Sequence, residues 1–204
     1  MKTKLFSKNE IKEVVEALKN GEIIAFPTET VYGLGVISTS VELFNKLVEV
    51  KKRPPNKPFT LMCSSLDQVK DIIELNDVST KLINKFMPGS ITLILKTKKE
   101  VPHFLDLGTG FVGVRIPDDK FVLAMIKEVG VPLLVPSANI SSFEPAKNDK
   151  EALGYFDNLI YGIVKGESTS NVPSTIIKVD GNDISLIREG PIKLNEIMEA
   201  IKNE

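Results

Sequence analysis

The apolar residues of this chain recur with two different spacings, and these spacings predict helices alternating with strands. A spacing of three or four residues, which places apolar side chains on one helix face, marks the segments 11–18, 43–48, 69–73, 82–86, 123–129 and 194–201. Short apolar or β-branched runs mark strands at 22–26, 59–63, 91–96, 112–116, 133–135, 160–164, 175–179 and 184–188. This interleaving indicates an α/β fold, with helices packed on the faces of a mixed sheet.

Polar residues at the helix starts support this assignment. Ser7 and Glu10 have the spacing of a capping box before the first helix, and Ser65 and Gln68 repeat it before the third. The chain shows no internal repeat, no low-complexity tract and no linker-like stretch. We therefore expect one domain over residues 1–204.

Composition narrows the class of protein. Hydrophobic residues make up 42% and charged residues 26%, which is typical of a globular chain. No apolar run approaches the ~20 residues of a membrane span, and the N-terminal sequence lacks an apolar signal core. Together with the single cysteine, Cys63, this favours a cytoplasmic protein without a membrane partner.

Charge and scarce residue types exclude several functions. The 26 basic and 27 acidic residues balance, so a broad nucleic-acid-coating surface is not indicated. One histidine and one cysteine are too few for a His/Cys zinc site. The histidine, His103, lies in the apolar context VPHFL, and we expect it to pack beside a loop.

The segment 51–58 (KKRPPNKP) carries four cations and three prolines. Prolines oppose a helix, and a residue that precedes proline is pushed toward extended geometry. Alternate positions would then project together, which places Lys51 and Arg53 on one side. Two cations on a stiff loop suit a polyphosphate, and a solvated basic turn is the alternative.

Two further polar segments follow predicted buried strands, where α/β folds place ligands. The first, 27–35 (PTETVYGLG), combines two hydroxyls, a carboxylate and a phenol with two glycines. In the second, 135–142 (VPSANISS), Ser137 and Asn139 alternate and can face one ligand. Local turns and helix caps explain both segments equally well from residue types alone.

Isolated charged residues and glycines complete the candidates. Arg115 lies inside an apolar strand, where it is either solvent-facing or part of an anion pocket. The glycines of 108–113 fit a dinucleotide-binding pattern, but a strand follows them where that fold needs a helix. We therefore interpret 108–113 as a turn, and no Walker-type phosphate loop is present.

Taken in order, the motifs resemble the YrdC-type threonylcarbamoyl-AMP synthase family. The matching strings are PTETVYGLG (27–35), K-x-R-P (51–54), PGSITLIL (88–95), GVRIP (113–117), PSAN (136–139), PSTII (173–177) and IREGP (187–191). The resemblance implies a YrdC-like open, twisted, mixed β-sheet with flanking helices around a concave ligand cavity. It also implies an adenylyltransferase that makes L-threonylcarbamoyl-adenylate and pyrophosphate from ATP, bicarbonate and L-threonine, for modification of tRNA beside the anticodon.

The resemblance also assigns roles to residues. It implies Lys51 and Arg53 as catalytic, Lys57, Ser137, Asn139 and Arg188 as ATP-binding, and Thr30, Arg115 and Ser174 as threonine-binding. Mg²⁺ would arrive with ATP, and no protein metal ligand is assigned. The implied partners are a downstream tRNA threonylcarbamoyl transferase and tRNA or double-stranded RNA.

Some features depart from the family pattern or leave another function open. Many family members have a histidine that contacts threonine where this chain has Met62. Longer members carry a second C-terminal domain, and we expect none here. An RNA-binding module of the same fold is the alternative function; it predicts salt-sensitive RNA binding without dependence on threonine. A carbamoyl-adenylate enzyme of hydrogenase maturation would need further segments.

Overall fold

A mixed β-sheet forms the centre of the molecule. The computed structural model describes residues 2–54 and 56–202. The ten strands within them are β1 (Lys4–Phe6), β2 (Ile24–Phe26), β3 (Gly33–Ile37), β4 (Leu61–Met62), β5 (Ile91–Lys96), β6 (Phe111–Arg115), β7 (Leu133–Leu134), β8 (Gly162–Val164), β9 (Thr175–Asp180) and β10 (Asp183–Arg188). They lie in the sheet in the order β1-β8-β2-β3-β7-β4-β6-β5-β9-β10.

The sheet is open and combines both strand directions. β1 pairs with β8, β8 with β2, β4 with β6, and β5 with β9 in parallel. The remaining neighbours, including β2 with β3 and β5 with β6, are antiparallel. The predicted α/β class with a mixed sheet is confirmed.

Seven α-helices lie in the described part of the chain. They are α1 (Ile11–Lys19), α2 (Val41–Lys51), α3 (Asp77–Phe86), α4 (His103–Asp106), α5 (Lys120–Val129), α6 (Asp149–Phe156) and α7 (Leu194–Lys202). The apolar faces predicted for α1, α2, α3, α5 and α7 are confirmed, because each buries residues against the sheet or a neighbouring helix. The described helices include none that is long and apolar enough to cross a membrane.

The two faces of the sheet carry two separate apolar cores. Along β2, Ala25 belongs to one core, whereas Ile24 and Phe26 belong to the other, because successive strand residues point to opposite faces. Helices α2, α3, α6 and α7 contribute to the first core, and α1 and α5 contribute to the second. The sheet therefore has a helix layer on each side at β2.

The second face is covered over only part of its width. Helices α1 and α5 supply the buried residues opposite β2 and β7. On β5 and β9, the alternate residues Thr92, Ile94, Ile176 and Lys178 point to the same side, but they line an open groove instead of that core. The uncovered half of this face is where a ligand has access.

One predicted helix is wrong. Segment 69–73 contains turns after a single 3-10 turn, and Ile73 pairs with Thr97 in an isolated bridge. The expected cap also fails, because the side-chain oxygen of Gln68 accepts hydrogen bonds from Ser64 N and Oγ. Ile73 N still bonds to the Val69 carbonyl, but the Ile72 carbonyl accepts from Lys98 N just beyond β5, and Glu74 N bonds to the Lys96 carbonyl at the end of β5, so no helix continues.

Four elements have no counterpart in the sequence prediction: β1, β3, α4 and α6. The glycines of 27–35 suggested a loop, yet β3 begins at Gly33. A Cβ on Gly35 would lie 2.6 Å from a ring carbon of Phe26. Glycine is needed here because an aromatic ring packs directly on the strand backbone.

The phenol of Tyr32 is part of this framework. The side chain is fully buried, and its hydroxyl lies 2.8 Å from the carbonyl oxygen of Val164 and 2.9 Å from that of Gly166. Its single proton is shared between these two acceptors. Tyr32 thus ties the loop after β2 to the end of β8, and its hydroxyl is not available to a ligand.

We expect Tyr32→Phe to lower the free energy of unfolding by about 1–3 kcal/mol, because it leaves a buried carbonyl without a donor. Denaturant titration followed by circular dichroism would measure the loss. Tyr155→Phe is the matched control, since its hydroxyl bonds to the Glu144 carbonyl at an exposed position; we expect a change within about 0.5 kcal/mol. Equal effects in the two variants would contradict a structural role for the Tyr32 hydroxyl.

Candidate functional site

A cavity lies where the covered and open halves of the second sheet face meet. Its volume is about 150 Å³. Strands β4, β5, β6, β9 and β10 each contribute a lining residue, and loops after β2, α2 and β7 close it. The lining residues are Val31, Arg53, Phe59, Thr60, Met62, Thr92, Arg115, Val135, Pro136, Ser137, Pro173, Ser174, Ile176 and Arg188. We call this the inner cavity.

A second depression continues from it over the open sheet face. This outer groove has a volume of about 420 Å³ and shares Arg53, Phe59, Thr60, Thr92 and Ile176 with the inner cavity. Its far part is apolar and carries one cation. There Lys178 Nζ lies 3.8 Å from the ring centroid of Phe111.

Arg53 and Arg188 present guanidinium groups to the inner cavity while bonding to backbone carbonyls. Arg53 donates from Nε to the Lys57 carbonyl (3.0 Å) and from Nη2 to the Pro58 carbonyl (2.9 Å). Arg188 donates from Nε and Nη2 to the Ser174 carbonyl at 3.0 and 2.8 Å. Carbonyl partners orient both side chains without neutralising them, so both remain attractive to an anion.

Burial also acts on these two cations. It lowers the pKa of Arg53. Burial lowers the pKa of Arg188 as well, with a smaller contribution from the charge of Arg115. Both shifts show that burial disfavours the charged form of these guanidinium groups. An anion in the cavity would stabilise that charged form.

Arg115 is the third arginine of the cavity, and it has an acidic partner. Its Nη2 lies 2.7 Å from Glu29 Oε1, and the two side chains are only 7% and 14% exposed. Glu29 Oε1 also accepts a hydrogen bond from Asp118 N at 3.0 Å. Arg115 Nε and Nη2 and Glu29 Oε2 are buried without a well-aligned hydrogen bond. The pair is close but incompletely satisfied, as expected where a polar ligand belongs.

Lys51 lies behind the wall of the cavity. Its Nζ donates to the carbonyl oxygens of Ser137 (2.6 Å) and Asn139 (3.0 Å) and to Asn139 Oδ1 (3.0 Å). Burial lowers the pKa of Lys51 to about 7, and the charge of Arg53 acts in the same direction. The three oxygen atoms favour the ammonium form, so a nearby anion would tip the balance toward protonation.

The strand-like alternation that was expected to place Lys51 and Arg53 on one side is wrong. Lys51 is the last residue of α2, and Lys52 follows in the left-handed region with φ 50° and ψ 43°. Lys52 N bonds to the Glu49 carbonyl and Arg53 N to the Val48 carbonyl, which is a Schellman helix ending. The reversal after the helix, not strand alternation, sets the relative directions of the two cations. Pro55, also used in that prediction, lies outside the described residues.

Ser137 and Asn139 approach each other as their alternation predicted, but only Ser137 lines the cavity. Ser137 Oγ donates to Asn139 Oδ1 at 2.6 Å. Asn139 Nδ2 donates to the carbonyls of Ile140 and Phe143, each at 2.9 Å. With Lys51 also bonded to Oδ1, every hydrogen-bonding position of the Asn139 amide is used within the protein. Asn139 therefore holds Lys51 and Ser137 in place.

Five of the nine predicted site residues line the inner cavity: Arg53, Arg115, Ser137, Ser174 and Arg188. Lys51 and Asn139 stand directly behind them. Thr30 is fully buried, with its hydroxyl 3.0 Å from that of Thr28. Lys57 has an exposed side chain, and neither Thr30 nor Lys57 is part of the cavity lining. His103 is exposed at the start of α4 and does not line it either.

Sequence reasoning missed two residues of the site. Glu29 stood in the polar segment after β2 without an assigned role, although it is the only carboxylate there. Thr92 interrupts the apolar pattern of β5, and its hydroxyl lies 2.9 Å from that of Ser174. The available signal for Thr92 was a hydroxyl at a position of β5 that points away from the first core.

The chemistry of this lining is that of binding, not of covalent attack. Burial raises the pKa of Cys63 to about 12, so its thiol is not a nucleophile at neutral pH. The described residues contain no group of three or more His, Cys, Asp or Glu side chains placed to hold a metal ion. Three guanidiniums, hydroxyls and one ion pair suit a small molecule that carries phosphates and a carboxylate. The class is an α/β protein with an arginine-lined cavity on a half-covered sheet face.

Comparison with known proteins identifies the family. The sequence profile of the Sua5/YciO/YrdC family, described as telomere recombination, matches residues 16–190. This chain belongs to the Sua5/YciO/YrdC family. The resemblance noted in the motifs is thereby confirmed.

Individual relatives give the comparison more detail. A Methanocaldococcus jannaschii protein, provisionally named threonylcarbamoyl-AMP synthase, is 34% identical over 94% of this chain and 92% of its own length. Threonylcarbamoyl-AMP synthase of Bacillus subtilis is 34% identical over 94% of this chain, which spans 56% of that protein. The crystal structure of Pyrococcus abyssi Sua5 complexed with L-threonine matches with a TM-score of 0.92 and 29% identity, over 98% of this chain and 61% of that one.

The lysine buried behind the cavity offers a direct test of the site's electrostatics. We expect the Lys51 ammonium to titrate near pH 7, far below the ~10.4 of an ordinary lysine, because burial disfavours its charge. NMR signals of the lysine side chains against pH would show this, with Lys51→Arg used for assignment. Adding sulfate, which does not titrate in this range, should move the midpoint upward. A site without anion affinity would leave the midpoint where it was.

Proposed function

We propose that this chain makes L-threonylcarbamoyl-adenylate and pyrophosphate from ATP, bicarbonate and L-threonine, for threonylcarbamoyladenosine modification of tRNA. The observation that carries the proposal is the inner cavity, which Arg53, Arg115 and Arg188 line together. Relatives named for this activity match most of the chain and support it.

The two ends of the cavity suit the two larger substrates. Arg115, with Thr92 on the neighbouring strand and the Ser174 hydroxyl that bonds to Thr92, suits the carboxylate and polar groups of threonine. Ser174 also accepts hydrogen bonds from Arg188. Arg53 and Arg188 suit the phosphates of ATP, and the nucleotide extends from the small inner cavity into the outer groove. The support for the threonine end is the P. abyssi relative, whose structure was determined with L-threonine.

In the proposed reaction the unprotonated threonine nitrogen first attacks the carbon of bicarbonate, and a C–O bond breaks so that the hydroxyl leaves as water with a proton from the nitrogen, which gives a carbamate. A carbamate oxygen then attacks the α-phosphorus of ATP, and the bond to the β-phosphate oxygen breaks to release pyrophosphate. The substrate is itself the nucleophile, so the protein contributes positioning and charge neutralisation. Arg53 and Arg188 orient the phosphates, and Lys51, held by Asn139, adds positive charge from behind.

Mg²⁺ is proposed to enter with ATP. The cavity lining contains hydroxyl groups and cations but no carboxylate, and this donor set fits an ion carried by phosphates and water. Its chemistry would be to neutralise phosphate charge. The proposal assigns no residue of this chain as a metal ligand.

Met62 bears on amino-acid selectivity. It is buried, lines the inner cavity and belongs to the apolar core under α1 and α5. A thioether offers a flexible apolar contact and no strong hydrogen bond. Selection for threonine in this chain would then rest on the hydroxyl groups of Thr92 and Ser174 rather than on a ring nitrogen.

The proposed partners and location follow from the reaction. The product is an activated acyl-adenylate that a separate tRNA threonylcarbamoyl transferase would consume, and tRNA or double-stranded RNA is a further proposed ligand. Cytoplasmic ATP and tRNA place the activity in the cytoplasm. The outer groove, which is open beside the cavity, provides the space for release or hand-over.

An RNA-binding module without synthase activity is the second candidate. The observation that favours it is the outer groove, where Lys178 lies over the ring of Phe111 on an open face. Cations and aromatic rings together bind single-stranded RNA. This function predicts RNA affinity that falls steeply with salt and does not respond to threonine.

The deciding experiment measures pyrophosphate release by the purified chain with ATP, Mg²⁺, bicarbonate and L-threonine. We expect release that requires both threonine and bicarbonate, with threonylcarbamoyl-adenylate detected by chromatography. Omitting threonine is the internal control for ATP hydrolysis. Absence of threonine-dependent release from correctly folded protein would refute the synthase function.

Variants of the basic residues test the site assignment. We expect Lys51→Ala and Arg53→Ala each to lower kcat/KM by about 10²–10³-fold, the usual loss when one preorganised charge-stabilising group is removed. Lys57→Ala should have a smaller effect, because its side chain is exposed outside the cavity lining. Lys12→Ala, on the exposed side of α1, is the control. If Lys51→Ala and Arg53→Ala left kcat/KM nearly unchanged, the basic segment would be a solvated turn with no part in the reaction.

A further inference from the structure

The three arginines of the inner cavity differ in one respect. Arg53 and Arg188 bond to carbonyl oxygens and keep their full charge. Among residues 2–54 and 56–202, one salt bridge involves a cavity arginine, and it joins Arg115 to Glu29. The charge of Arg115 is therefore offset by a neighbouring carboxylate, whereas Arg53 and Arg188 have backbone carbonyl partners.

Hydrogen bonds from the surrounding backbone hold Glu29 in position beside Arg115. Its Oε1 accepts from Asp118 N, just beyond β6, and its backbone oxygen accepts from Ser170 N at 3.1 Å. Arg115 and Asp118 thus hold the carboxylate, and Ser170 holds the backbone of Glu29. Glu29 is not among the residues that line the cavity, and its carboxylate would act on a ligand through Arg115.

Resting on the synthase function, we propose that Glu29 is a specificity-determining residue that makes the Arg115 end accept a zwitterionic amino acid and reject phosphate. An amino acid carries a carboxylate for Arg115 and an ammonium that tolerates the nearby Glu29 carboxylate. A phosphate or the triphosphate of ATP has only negative charge, and Glu29 repels it. The same guanidinium without Glu29 would be a third phosphate site.

This division matters because both substrates contain anions that fit an arginine. Arg115 and Arg188 are close enough for the charge of Arg115 to lower the pKa of Arg188. A polyphosphate attracted to all three guanidiniums would block the place of threonine. Glu29 separates the two binding functions within one small cavity.

The test titrates L-threonine by calorimetry into wild-type protein and into Glu29→Gln, with inorganic phosphate or with chloride at equal ionic strength. For wild type we expect phosphate to change the threonine Kd by less than about twofold. For Glu29→Gln we expect the same phosphate concentration to raise the apparent Kd at least about tenfold, because phosphate then competes for Arg115. Glu22→Gln, which removes a surface carboxylate paired with Lys46, is the control and should behave as wild type.

Two results would overturn the inference about Glu29, and a third would refute the synthase function. Weaker threonine binding by Glu29→Gln to the same extent in chloride and phosphate would overturn the inference, because Glu29 would then only support the fold. Competition between phosphate and threonine in wild type would also overturn it, even if Glu29→Gln cannot be folded. Failure of wild type to bind threonine or to show threonine-dependent pyrophosphate release would instead refute the synthase function, and the inference with it.

Discussion

A sheet with two apolar faces has to bury both of them, and this chain has helices for one face and for only part of the other. Helices α1 and α5 cover the second face at β2 and β7, and no helix among residues 2–54 and 56–202 does the same for β5 and β9. An uncovered apolar face would be costly in water. The chain places Thr92, Lys178 and arginines there, and the result is a polar cavity with an apolar groove beside it. The ligand site is a direct consequence of how far the helix layer extends.

Much of the scaffold was predictable because its signals are local. The strand β5 matches its apolar run at 91–96, and α5 follows from the apolar spacing at 123–129. The false helix at 69–73 shows the limit, since its spacing was helical but its backbone bonds to the neighbouring strand. A local sequence pattern does not reveal that the backbone has alternative hydrogen-bonding partners in a neighbouring strand.

The site was less predictable because its contacts join distant segments. Lys51 meets the Ser137 carbonyl across 86 residues of sequence, and its burial follows from that contact rather than from its own neighbours. The motifs indicated which segments carry the chemistry. They could not separate Ser137, which faces the cavity, from Asn139, which holds the wall in place. Nor could they show that Arg115 has an acidic partner, whereas Arg53 bonds to the backbone carbonyls of Lys57 and Pro58.

The end of α2 has a further consequence, which concerns the balance between stability and preorganisation. Lys52 adopts a left-handed conformation, which costs a non-glycine residue roughly 1–2 kcal/mol. Glycine there would remove that strain, but it would also give the unfolded chain more freedom and loosen the turn that directs Arg53. The helix ending therefore stores conformational strain in exchange for a guanidinium that is already aimed before any ligand arrives.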